Sequence, residues 1–105
     1  MRFGLSEKTL DQIKSVLKKY PEITDVLIFG SRVKNTYQPG SDIDLCLFGK
    51  NLNLEFLNKV SIELDELSTP YTFDVTIYEK IENQDLKSHI DRLGKSLYAA
   101  SSQRN

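Results

Sequence analysis

Asp25-Val26-Leu27-Ile28-Phe29-Gly30-Ser31-Arg32 and, beyond a short polar segment, Ser41-Asp42-Ile43-Asp44-Leu45-Cys46-Leu47-Phe48 are the residues that decide how this chain folds. The first run is continuously β-prone as far as Gly30, the pattern of a central strand covered on both faces. The second alternates, with Ile43, Leu45 and Leu47 on one face and Asp42, Asp44 and Cys46 on the other, so it predicts a second strand over Asp42 to Phe48. Between them Asn35, Pro39 and Gly40 interrupt any apolar period. That segment predicts a short helical turn from Ser31 followed by a loop.

Asp42 and Asp44 are two residues apart on a strand, which places both carboxylates on one face within a few ångströms of each other. Two like charges that close raise each other's pKa, and a divalent cation between them turns repulsion into ligation. All-oxygen ligation suits Mg²⁺ or Mn²⁺. Zinc is disfavoured, because the chain holds one cysteine and one histidine.

Asp74 is a third acid, inside the otherwise apolar run Phe73-Asp74-Val75-Thr76-Ile77, where an unpaired charge is costly. Asp74 reaches the same cluster if this third strand, Thr72 to Tyr78, lies beside the second. At the end of the first strand, the Gly30 and Ser31 N–H groups and the Ser31 hydroxyl are free to face a phosphate, with glycine permitting close approach. A triphosphate on that turn and two Mg²⁺ ions on the acids would together serve in-line displacement at phosphorus.

Outward from this centre the pattern is regular. Leu10, Ile13, Leu17 and Tyr20 recur at helical spacing behind the candidate cap Ser6, up to Pro21. Leu54, Leu57, Ser61, Leu64 and Leu67 repeat the pattern behind Asn53, and Ser68-Thr69-Pro70 ends that helix. Leu86, Ile90, Leu93 and Leu97 define a last helix. The predicted order is αβ(α)βαβα, an α/β (α+β) fold with a mixed sheet of about three to four strands and helices packed around it. A chain of 105 residues is expected to form one domain, residues 1–105, with Ser101-Ser102-Gln103-Arg104-Asn105 a frayed tail.

Composition agrees with a folded domain. Hydrophobic residues are 39% and charged residues 28%, which excludes a disordered, highly charged chain. The formal net charge of -1 provides no bulk attraction to nucleic acid or an anionic membrane, so a phosphate ligand has to be held locally. No apolar run suffices to span a membrane, and a single cysteine without a signal-like start points to a reducing cytoplasm.

Phe29-Gly30-Ser31-Arg32, the ten residues from Arg32 to Ser41, and then Asp42-Ile43-Asp44-Leu45 resemble the signature of the minimal nucleotidyltransferase (MNT) family, within the DNA polymerase β-like superfamily. The resemblance implies that Asp42 and Asp44 bind two Mg²⁺ ions, with Mn²⁺ an acceptable substitute. Asp74 would complete the metal site and help deprotonate the acceptor. Gly30, Ser31, Arg32 and Ser41 would bind the nucleotide, with Lys34 a further candidate.

The resemblance also implies an ATP-dependent enzyme, paired with a separately encoded helical HEPN-type protein, that acts as an antitoxin by transferring AMP to its partner. An oligomer is compatible with this. The alternative is a catalytically silent nucleotide-binding or steric antitoxin, an interaction subunit that masks its partner. Among the remaining residues, Cys46 is expected to be a small packing side chain. His89 is expected to be a solvated surface residue, and Tyr37 and Gln38 polar loop surface.

Overall fold

The structure, a computed structural model, describes residues 2–38 and 40–100, so the expected tail at 101–105 lies outside the described residues. Helix α1 spans Glu7–Leu17, and its first turn is closed by the Thr9 N–H donating to the Ser6 hydroxyl at 3.2 Å. Leu10, Ile13, Val16 and Leu17 form its buried face. The helix stops at Leu17, short of Pro21. Tyr20 instead packs edge-on against Phe56 at 5.3 Å and donates its hydroxyl proton to Glu63.

Strand β1 (Ile23–Phe29) leads into the single turn of helix α2 (Ser31–Lys34), which ends on Asn35 in the left-handed conformation. Strand β2 covers Ile43–Gly49, one residue later at each end than the alternation predicts. Helix α3 (Leu54–Asp65) is capped by Asn53, whose Oδ1 accepts the Phe56 N–H at 2.8 Å. Leu54 opens the predicted stripe on the first turn of the helix but is 69% exposed.

Strand β3 (Phe73–Ile77) follows, then a 3-10 turn over Tyr78–Lys80 and helix α4 (Gln84–Leu93), which Asn83 caps by accepting the Leu86 N–H at 3.0 Å. The end of the chain departs from expectation. Leu97 does not extend the last helix: Lys95–Ala99 form strand β4, with Leu97 and Tyr98 buried. Gly94 makes the change of direction possible, since a Cβ there would meet the Ile90 carbonyl oxygen at 2.6 Å and Leu27 Cδ1 at 3.1 Å.

The four strands form one mixed sheet in the order β3-β2-β1-β4. β1 runs antiparallel to both β2 and β4, and β2 pairs in parallel with β3 through the α3 crossover. One face carries the main core, in which Val26, Ile28, Ile43, Leu45 and Leu47 meet Leu10, Ile13 and Leu17 of α1 and Val60 and Leu64 of α3. The other face carries a smaller cluster of Phe29, Cys46 and Ile90, with Leu27, Phe48 and Leu86 around it. This coverage explains the continuous apolar run in β1. Among the described residues no helix is long and apolar enough to cross a membrane.

Candidate active site

Because β1 is antiparallel to β2 and β4 while β3 is parallel to β2, the end of β1 and the starts of the other three strands meet at one edge of the sheet. Asp44 pairs with Phe29 on one side and with Asp74 on the other, so the third acid stands in register beside the second. In-register neighbours in a sheet lie about 4.8 Å apart and project to the same face. Asp42, one residue ahead of β2, accepts a hydrogen bond from the Thr72 hydroxyl, which fixes that carboxylate at the entrance to β3.

Asp44 is half-buried, whereas Asp42 and Asp74 are exposed. Burial first, then the charges of Asp74 and Asp42, push the Asp44 carboxyl up to about 6, against a smaller lowering by Arg32. Among the described residues no three histidine, cysteine or acidic side chains close into a ligand cage. The three carboxylates line an open edge instead. Their oxygen-only donor set and crowded negative charge fit a hard divalent cation such as Mg²⁺.

Gly30 ties the turn to this cluster. Its backbone has φ +81° and ψ -151°, a region that glycine alone occupies readily, and a Cβ placed on it would lie 2.1 Å from Asp44 Oδ2. The main chain therefore runs directly against the half-buried acid. Ser31 follows as the half-buried first residue of α2. A phosphate group on this turn would stand beside the acids.

The family model "Polymerase beta, Nucleotidyltransferase" matches residues 11–103, from within α1 to beyond β4. The chain belongs to this nucleotidyltransferase family. No curated protein matches its sequence significantly. Among solved structures, a toxin-antitoxin complex with AMP-PNP contains a chain similar at TM-score 0.73 and 19% identity, covering 90% of this chain and 76% of that one. A chain of the complex between a tri-AMPylated Shewanella oneidensis HEPN toxin and an MNT antitoxin is similar at TM-score 0.70 and 16% identity, covering 94% and 76%. A candidate nucleotidyltransferase from Sulfolobus solfataricus is similar at TM-score 0.52 and 17% identity, covering 93% of both chains. At these identities the likeness concerns the fold.

Within this nucleotidyltransferase fold two of the expected nucleotide contacts are engaged elsewhere. Arg32 is 2% exposed. Its Nη1 donates to the Phe3 carbonyl at 2.9 Å and its Nη2 to the Ser41 carbonyl at 2.8 Å, while the guanidinium lies between the rings of Tyr37 (5.1 Å) and Tyr71 (4.9 Å). Arg32 is thus a buried strut joining the N-terminal segment, the loop before β2 and the segment before β3. It reaches the site as a positive charge that lowers the Asp44 pKa, and not as an exposed phosphate contact. Tyr37 is one of its covers and not free loop surface.

Ser41 staples the same loop: its hydroxyl accepts the Gln38 N–H at 2.8 Å, and its own N–H donates to the Gln38 carbonyl at 2.9 Å. Cys46 is fully buried and its thiol is pushed up to about 12, by burial and then by Asp91, which suits a packing residue. His89 departs most from expectation. It is half-buried, lies edge-on to Phe29 at 6.0 Å, and its Nε2 accepts the Gly30 N–H at 3.1 Å. Sequence spacing carries no signal for that contact, which joins residues 59 positions apart.

Two open pockets lie apart from the acids. A cavity of about 430 Å³ between α3 and the edge strand β3 is lined by Leu54, Leu57, Val75, Thr76, Ile77 and Lys80. Another of about 400 Å³ sits beside Arg2, Arg32 and Lys95. Neither space is lined by Asp42, Asp44 or Asp74.

Proposed function

We propose that this chain is a Mg²⁺-dependent nucleotidyltransferase that moves AMP from ATP onto a HEPN-type partner protein, and so acts as the antitoxin of a two-component system in the cytoplasm. The observation that carries this reading is the register of Asp74 with Asp44, directly against the Gly30 backbone. Membership of the family supports the reaction class. The tri-AMPylated toxin in the Shewanella complex supports a protein acceptor.

In this reading Gly30 and Ser31 hold the triphosphate, and Asp42, Asp44 and Asp74 hold Mg²⁺. When bound, the metal supplies charge neutralisation at the phosphates and activation of the acceptor oxygen. The acceptor hydroxyl oxygen attacks the α-phosphorus, the bond from that phosphorus to the bridging oxygen of the β-phosphate breaks, and pyrophosphate leaves. Asp74, exposed at the rim, takes the hydroxyl proton. The open edge accommodates a folded protein acceptor, and Gly30 keeps the α-phosphate close to Asp44.

The test is incubation with α-labelled ATP, Mg²⁺ and a candidate HEPN-type partner protein. Label should pass to the partner with wild type and be lost with Asp44→Asn. If Asp44→Asn neutralises the partner as well as wild type does, masking explains the biology and the transfer reading is wrong.

A further inference from the structure

The Gly30 amide is the donor that a phosphate on this turn would use, and a side chain already occupies it. His89 Nε2 accepts a hydrogen bond from that N–H at 3.1 Å, while Asp44 Oδ2 fills the space where a Gly30 side chain would stand. The turn is therefore held between a base on its amide and an acid on its Cα. The ring is well anchored: it lies edge-on to Phe29, and the next residue in α4, Ile90, is fully buried against Phe29 and Cys46. Accepting a proton through Nε2 requires a neutral imidazole with its own proton on Nδ1. Burial, then the charges of Lys34 and Arg92, lower the His89 pKa, which favours that neutral form.

We propose that His89 is a positioning residue of the phosphate turn: it holds the Gly30 amide when no nucleotide is bound and yields it to the triphosphate when nucleotide binds. The inference rests on the nucleotidyl-transfer reading above. A phosphate oxygen and the imidazole nitrogen compete for one N–H, so each molecule of nucleotide that binds must first break the bond to His89. That bond subtracts from affinity and in return holds the Gly30 amide in a fixed direction.

His89 is the only histidine in the chain, so imidazole nitrogen resonances report on it alone. The experiment follows the ¹⁵N signals of the wild-type ring at about pH 8, where it is neutral, while a non-transferable α,β-methylene ATP is added with Mg²⁺. Calorimetry gives the Kd of the same ligand for wild type, His89→Ala and His89→Phe, the last keeping a ring against Phe29 without an acceptor. The free protein should show the Nδ1–H tautomer with a hydrogen-bonded Nε2, and nucleotide should shift Nε2 as that bond is lost. Both variants should bind about two- to tenfold more tightly, the range of one net hydrogen bond.

Nucleotide binding that leaves the Nε2 signal in place, or folded variants that bind no more tightly than wild type, would overturn the role of His89 while the transfer reading stands. Absence of any heat of nucleotide binding to wild type would overturn both.

Discussion

Neutralising Asp44 should make the metal-free protein more stable, the opposite of what removing a charged residue from a folded domain commonly does. The folded-state pKa of Asp44 is raised from 3.8 to about 6, by burial and by Asp74 and Asp42. The folded chain therefore binds this proton more tightly than the unfolded chain does. The linkage sign follows: the cost of ionising Asp44 is absent below the unfolded pKa, grows between 3.8 and about 6, and is complete above that.

A rise from 3.8 to about 6 corresponds to roughly 3 kcal/mol at full strength, and solvent at this half-open position screens it to about 1–2 kcal/mol. Asp44→Asn keeps the shape of the side chain and should recover that amount at about pH 8. In a domain of this size the gain raises Tm by roughly 4–8 °C per kcal/mol. Thermal and urea unfolding with a chelator present, at about pH 4, 6 and 8, measures it, and the difference from wild type should vanish at about pH 4. Mg²⁺ should then raise the Tm of wild type and leave the variant nearly unmoved. A variant no more stable than wild type at pH 8, or one whose gain persists at pH 4, would refute the electrostatic reasoning.

Gly30→Ala should cost about 2–4 kcal/mol in urea unfolding, because it adds a Cβ at a position with φ +81° and 2.1 Å from Asp44 Oδ2. Label transfer should be lost even where the variant remains folded. Arg32→Lys should cost about 2–3 kcal/mol, since an ammonium cannot span the Phe3 and Ser41 carbonyls while lying flat between Tyr37 and Tyr71. Urea unfolding that gives a loss below about 0.5 kcal/mol would show that the buried guanidinium is not a strut.

Much of this molecule was legible without coordinates, wherever a feature depends on near neighbours in the chain. The faces of β1, β2 and β3 follow from the two-residue period of a strand, so Asp42 and Asp44 share a side whatever surrounds them. Ser6 and Asn53 cap their helices because a cap is made with an amide three residues ahead.

What folding decided lies at long range. Leu97 stands four residues after Leu93 and continues a helical period, yet β4 gains more by pairing with β1 across Asp25–Ala99 and Val26–Tyr98. Gly94 was the local sign of that break. Asp74 stood out as an acid within an apolar run, and the expected cost of its charge is relieved by exposure on the edge strand; only the parallel pairing of β3 with β2 put it beside Asp44. Arg32 and His89 looked like surface or ligand-binding groups until the fold brought the Phe3 and Ser41 carbonyls to one and the Gly30 amide to the other. A sequence pattern sets which way a side chain points, whereas its hydrogen-bond partners come from segments that only the packed structure brings together.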